Sequence, residues 1–252
     1  MNATDPTRHA TRIAALAAAA LVAASLSGCA FLAPRHTFDD TASIDQSIAH
    51  VVLDSRNGNV TVRGVDGVDS VSLERTVTYR GAEREIGDTH RVSGDELVLG
   101  DCGRNCSVDY VLEVPAGVEV SGSTTNGAIE LVRVSKVDVE TNNGRIELDR
   151  VTGSITATTS NGKIVGQGLA GTEPIVVETS NGAIELEFDE PRDVQATTSN
   201  GAIDLRVPDA AYRVETETSN GGTAVGVVDD PDGEFTLELR TSNGSITVEP
   251  RG

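Results

Sequence analysis

From Val120 onward the chain repeats one arrangement of apolar and polar positions, anchored on the tetrad Thr-x-Asn-Gly. Asn stands at 126, 143, 161, 181, 200, 220 and 243, at spacings of 17, 18, 20, 19, 20 and 23 residues, and a looser copy is Ser55-Arg56-Asn57-Gly58. Six positions before Asn come Val120, Val137, Ile155, Ile175, Val194, Val214 and Leu237; two before it, always Thr. Three after it stand Ile129, Ile146, Ile164, Ile184, Ile203, Thr223 and Ile246, and five after it Leu131, Leu148, Gly166, Leu186, Leu205, Val225 and Val248. Steps of two before the Asn-Gly pair are strand periodicity. The parity then shifts by one, which predicts a corner at Gly, the residue that accepts positive φ without steric cost. Polar residues fill the alternate positions, among them Glu140, Glu178 and Glu217 before the corner and Glu130, Glu147, Glu185 and Asp204 after it. One face packs and the other meets water.

Two all-β architectures fit. Each Asn-Gly could be a two-residue hairpin turn in an antiparallel β-meander, or each repeat of about 19 residues could be one coil of a β-solenoid whose equivalent positions stack. The hairpin sets Glu140 opposite Glu147 and Glu178 opposite Glu185, and like charges directly opposite are destabilising. Stacking also superposes some acids, but it places Thr on Thr and Asn on Asn, a reason for identical residues to recur. The solenoid is therefore preferred, with Asn126, Asn143, Asn161, Asn181, Asn200, Asn220 and Asn243 as a buried structural ladder beside inward-facing Thr. Residues 116–250 form the β-repeat region. Residues 40–115 alternate less regularly (Val71, Leu73, Val77, Tyr79; Val108, Tyr110, Leu112, Val114) and are expected to form an irregular β cap, since a solenoid's terminal units must cover raw strand edges.

The first residues follow another logic. Arg8 and Arg12 precede an uncharged stretch from Ile13 to Ser27, too short for a membrane span but suited to an export signal. Leu26-Ser27-Gly28-Cys29 resembles the bacterial lipobox, which implies cleavage after residue 28 and lipidation of Cys29. An anchor of more than one acyl chain holds stably where a single chain does not. Residues 29–39 read as the lipidated Cys and its tether, and the localisation expected is the outer face of a cell membrane. In an oxidising compartment Cys102 and Cys106, in Asp-Cys-Gly-Arg-Asn-Cys, are expected to form a local disulfide; only His90 is nearby to support a zinc site instead.

Charge narrows the partners. The chain carries −19, and removing residues 1–28, which hold Asp5, Arg8 and Arg12, leaves −20. That field repels nucleic acid. With no Trp, three Tyr and four Phe, aromatic platforms for stacking sugars or bases are scarce.

The lipobox, the strand-rich lead-in and the recurring Thr-Ser-Asn-Gly-x-Ile-x-Leu together resemble the bacterial adhesin-like family of β-strand-repeat proteins, a domain of unknown function, over roughly residues 40–249. The resemblance implies a repetitive β fold outside a cell membrane, with adhesion suggested by architecture, and it brings no catalytic set.

An enzyme acting on acidic polysaccharide would need clustered basic residues and paired acid-base groups. Arg133, Lys136, Arg145, Arg150, Lys163, Arg192, Arg206, Arg213 and Arg240 fall in different registers, and His36, His50 and His90 all precede the array. The loop Asp229-Asp230-Pro231-Asp232-Gly233-Glu234 has calcium-like alternation without a full EF-hand spacing, and a Pro-Asp-Gly turn accounts for it. The expectation is a non-catalytic, membrane-anchored lipoprotein without metal or cofactor, whose β-repeat domain binds a surface or envelope component. The alternatives are a scaffold that self-associates end to end and a polysaccharide-active β-helix enzyme.

Overall fold

The computed structural model describes residues 33–252. The strands are β1 (Arg35–Ile44), β2 (His50–Asn57), β3 (Val60–Val65), β4 (Val71–Arg80), β5 (His90–Ser93), β6 (Glu96–Leu99), β7 (Cys106–Pro115), β8 (Glu119–Asn126), β9 (Ile129–Val132), β10 (Lys136–Asn143) and β11 (Ile146–Asp149). They continue with β12 (Ile155–Asn161), β13 (Ile164–Leu169), β14 (Ile175–Asn181), β15 (Ile184–Phe188), β16 (Val194–Asn200), β17 (Ile203–Val207), β18 (Tyr212–Asn220), β19 (Thr223–Val225), β20 (Phe235–Asn243) and β21 (Ile246–Pro250). The strand that enters each Asn-Gly corner lies in one sheet and the strand that leaves it lies in the other, so every repeat is one two-stranded coil. Sheet A has eleven strands in the order β1-β4-β7-β3-β9-β11-β13-β15-β17-β21-β19, and sheet B has ten, β18-β20-β16-β14-β12-β10-β8-β2-β6-β5. Pairing between coils is parallel, with Asn opposite Asn throughout. The chain is thus a β-solenoid and not the antiparallel meander.

The core lies between the sheets. Ile129, Ile146, Ile164, Ile184, Ile203 and Ile246 are each fully buried on the sheet A side, facing Val120, Val137, Ile155, Ile175, Val194 and Leu237 from sheet B. Two features of the order depart from simple succession. The copy at Asn57 stacks directly on the copy at Asn126, and the chain between them folds outward as a cap. In that cap β6 and β7 imitate a coil, parallel to β2 and β3, while β4, β1 and β5 add antiparallel strands beyond them. β1 begins at Arg35, inside the segment expected as tether. At the other end, coil β20–β21 inserts between β16–β17 and β18–β19, so the penultimate repeat in sequence is the terminal coil in space.

That inversion follows from side chains. Coil β18–β19 carries Thr216 and Thr223 at inward positions where β20–β21 carries Leu239 and Ile246, both fully buried. The apolar copy occupies the interior, and the more polar one faces solvent.

Candidate functional site

The corner is the most regular part of the molecule. Each Asn side-chain N–H donates to the side-chain oxygen of the Asn one coil nearer the cap: Asn126 to Asn57, Asn143 to Asn126 and Asn161 to Asn143 at 2.9 Å, then Asn181 to Asn161 at 3.0 Å and Asn200 to Asn181 at 3.1 Å. Asn243 donates to Asn200 at 3.0 Å and Asn220 to Asn243 at 2.9 Å, so the row runs in spatial rather than sequence order. All seven of these donors are exposed. The burial expected of them belongs instead to the threonines: Thr141, Thr159, Thr179 and Thr198 are at most 2% exposed. Their hydroxyls donate to the corner glycine carbonyl of the preceding coil, for example Thr179 to Gly162 O at 2.9 Å and Thr198 to Gly182 O at 3.0 Å. Strand alternation puts Thr inside, and the bend at the corner turns Asn out.

Positive φ is not the common reason for glycine here: the corners at Gly58 (φ 124°) and Gly127 (φ 155°) have it, the later ones do not. Gly144, Gly162, Gly182, Gly201 and Gly244 lack it, yet a Cβ on Gly182 would lie 1.9 Å from Gly162 O, and the same collision recurs from coil to coil. Glycine is required because successive corners approach too closely for any side chain. Left-handed backbone occurs instead seven residues after Asn, at Arg133 (φ 56°), Arg150 (φ 52°) and Gly168 (φ 59°), where the chain leaves sheet A.

The outer face of sheet B is flat and ordered in rows. Ser160, Ser180, Ser199 and Ser242, each one residue before Asn, are exposed. Two positions earlier the stacked sequence is Asp54, Ser123, Glu140, Thr158, Glu178, Thr197, Arg240 and Glu217. From Asp54 to Thr197 carboxylate alternates with hydroxyl, which keeps like charges two rungs apart, about 10 Å. Sheet A handles charge differently. Glu130 lies beside Glu147 and Glu185 beside Asp204, and cations sit against them: Arg63 on Glu130 (3.1 Å), Arg145 on Glu147 (3.0 Å) and Lys163 on Glu185 (2.5 Å). Between these side chains runs a shallow trough of about 400 Å³ lined by Val165, Glu185, Glu187, Asp204, Arg206 and Glu249. Its ion pairs are solvent-exposed and each contributes little.

Cys102 and Cys106 are joined by a disulfide, Cα–Cα 5.6 Å, in the turn where β6 passes to β7. That turn stands where a coil would have its Asn-Gly corner, and Cys106 O lies 3.5 Å from the Asn57 side-chain N–H, closing the amide row at the cap. Beside it is a buried polar cluster that periodicity could not reveal. Arg75, 5% exposed, donates to Asp40 (2.6 Å), Gly87 O (2.9 Å) and Thr89 Oγ1 (3.0 Å). Tyr110 OH lies within 2.6–2.9 Å of Thr89 Oγ1, Thr89 O and Gly100 O. The Arg75 guanidinium lowers the Asp40 pKa, and burial pushes Tyr110 up to about 12. His90 Nδ1 is buried without a hydrogen-bond partner among the described residues. His36 stacks on Tyr79, with ring centroids 4.9 Å apart, and His50 lies 3.5 Å from Glu119. The structure brings none of these histidines to the repeat serines.

Two further residues have structural employment. Arg192, 1% exposed, donates to the carbonyls of Gly171 (2.8 Å) and Gly153 (3.4 Å), tying three loops on the side opposite the corner. In the acidic loop Asp229 Oδ1 accepts the Val214 N–H (3.0 Å) and Asp230 Oδ1 accepts the Asp232 N–H (3.0 Å), a turn that covers the start of β18. Cys29 lies outside the described residues.

A family profile, Toastrack DUF4097, matches residues 45–249. No curated protein matches the chain. Among solved structures, the chain is similar to a candidate adhesin from Parabacteroides distasonis at 14% identity and TM-score 0.42, over 86% of this chain and 97% of that one. It is similar also to one from Parabacteroides merdae (12%, 0.41, 86% and 96%) and to one from Bacteroides fragilis (11%, 0.40, 85% and 97%).

Proposed function

The chain belongs to the Toastrack DUF4097 family, and on that footing we propose that it is a non-catalytic, adhesin-like lipoprotein of the bacterial envelope. Cys29 anchors it to the outer face of the membrane, and the outer face of sheet B is its contact surface for an envelope or cell-surface polymer. The observation that supports this most is the alignment of exposed Ser and Asn in rows repeated from coil to coil. A repeating ligand can meet equivalent donors and acceptors on successive rungs without ordering any flexible side chain, which keeps the entropic cost of binding low.

Two measurements test the reading. Mass spectrometry of membrane fractions should find a diacylglyceryl N-terminus at Cys29 that Cys29→Ser abolishes. Co-sedimentation with isolated envelope polymers should be lost when Ser160, Ser180 and Ser199 are all changed to Arg, while the melting temperature stays put. Retained binding in that triple variant would exclude the sheet B face.

A further inference from the structure

The two ends of the solenoid are built differently. At the cap, five strands and a disulfide cover the first coil. At the other end β18 and β19 are the last strands of their sheets and, among the described residues, are covered only by the loop of residues 226–234.

That loop stops short. Asp229 Oδ1 accepts the Val214 N–H, and the Asp230 N–H donates to Tyr212 O at 2.8 Å, so the first three residues of β18 are satisfied. These contacts also fix the sense of the edge. Polar groups of alternate residues point the same way along a strand, so Thr216 and Thr218 direct their N–H and C=O away from the stack, as Val214 does. Among the described residues, the Gly221 N–H donates to nothing, although every other corner glycine donates to the Asn carbonyl of the next coil, as Gly244 does to Asn220 at 3.0 Å. Apolar surface accompanies these groups: Val225 is 39% and Val228 76% exposed. The surroundings are acidic on balance: Glu215, Glu217, Asp229, Asp230, Asp232 and Glu234 stand against Arg213, 4.0 Å from Glu215, and Arg240 of β20, 3.4 Å from Glu217.

We propose that this end accepts an extended, lysine- or arginine-rich segment of a partner protein as an added strand along Glu215–Asn220 of β18. Backbone pairing supplies the affinity of strand addition, and side chains choose the partner. A basic strand complements this edge, whereas a second copy would bring its acidic loop against the same charges. The unpaired backbone groups of this edge are distinct from the Ser160, Ser180 and Ser199 rows tested above, so either binding can fail while the other persists.

The test uses the whole protein and two synthetic peptides, one alternating valine with lysine and one alternating valine with glutamate, in calorimetric titration. The lysine peptide should bind and the glutamate peptide should not. Thr216→Pro removes one outward N–H at an edge, where proline is tolerated, and should weaken binding about tenfold or more. Glu215→Lys with Glu217→Lys, at exposed positions and with folding checked by circular dichroism, should weaken it similarly. Absence of lysine-peptide binding to wild type would overturn the proposal. So would equal binding to the Thr216→Pro protein in a folded state, since charge alone would then suffice. A wild-type dimer in sedimentation, dissolved by Thr216→Pro, would also overturn it and assign the edge to a second copy.

Discussion

Substituting Gly182 by Ala should be among the most damaging single-methyl additions this protein can receive. The new Cβ would sit 1.9 Å from Gly162 O and 2.5 Å from its carbon, both backbone atoms of the preceding coil. Ordinary carbon–oxygen contact needs well over an ångström more, so the two corners must separate. Four hydrogen bonds hold them and the next corner at contact: Gly162 N–H to Asn181 O (3.1 Å), Thr179 to Gly162 O (2.9 Å), Gly182 N–H to Asn200 O (3.0 Å) and Thr198 to Gly182 O (3.0 Å). Losing two to four of them, at about 0.5–1.5 kcal/mol each with extra cost where a buried acceptor is orphaned, amounts to about 3–5 kcal/mol. Gly222→Ala is the internal control. No heavy atom lies within 4 Å of the place its methyl would take and its φ is not positive, so the change should be neutral or stabilise by up to about 1 kcal/mol. Urea unfolding followed by far-ultraviolet circular dichroism measures both, provided the transitions stay cooperative along the stack. If the two variants unfold within about 1 kcal/mol of each other, close approach is not what reserves the corner for glycine.

Thr179→Val leaves Gly162 O buried without its hydroxyl donor and should cost about 1–3 kcal/mol, more than Asn181→Ala, whose ladder bonds lie in solvent; an inverted ranking in the same urea assay would reverse the inward and outward assignments. Tyr110 and Tyr212 are both pushed by burial from 10.0 up to about 12. A raised folded-state pKa stabilises below the unfolded value and loses that contribution as pH rises through the folded one, so unfolding should set in between about 10 and about 12, with tyrosinate absorbance appearing together with loss of circular dichroism. Asn220 should deamidate faster than Asn161 or Asn181 on alkaline incubation, because the Gly221 nitrogen that attacks its side chain is free of the hydrogen bond its interior counterparts make; peptide mapping that finds equal rates would remove the distinction.

The coil and its inward positions are legible in the sequence because burial on one face imposes a period of two on any strand, and the Asn-Gly pair marks each break in parity. Thr223, alone among seven isoleucine-register positions, is also legible as an anomaly, and with Thr216 it carries the signal for the terminal coil. The inversion itself is not, since both last repeats share one register and sequence order does not say which stacks first. Arg192 and Arg75 look like scattered surface charge because a buried guanidinium satisfied by carbonyls leaves no pattern along the chain. The corner glycines are legible by position but not by cause: positive φ is a property of one residue, whereas their close approach exists only between coils.

The inverted last two coils bear on how the molecule is assembled in time. A chain emerging from its N-terminal side can lay one coil on the next as far as β17. The following repeat, residues 212–225, then offers the same Asn register to that exposed edge before its rightful occupant exists. Completion then requires residues 235–250 to arrive and take the place between, joining Asn243 to Asn200 across 43 residues where the neighbours from Asn126 to Asn200 are joined across 17 to 20. The wrong neighbour is available first. Where residues 212–225 dock first, the final step of folding becomes an insertion, and a chain that stopped after β19 would present an incorrect stack.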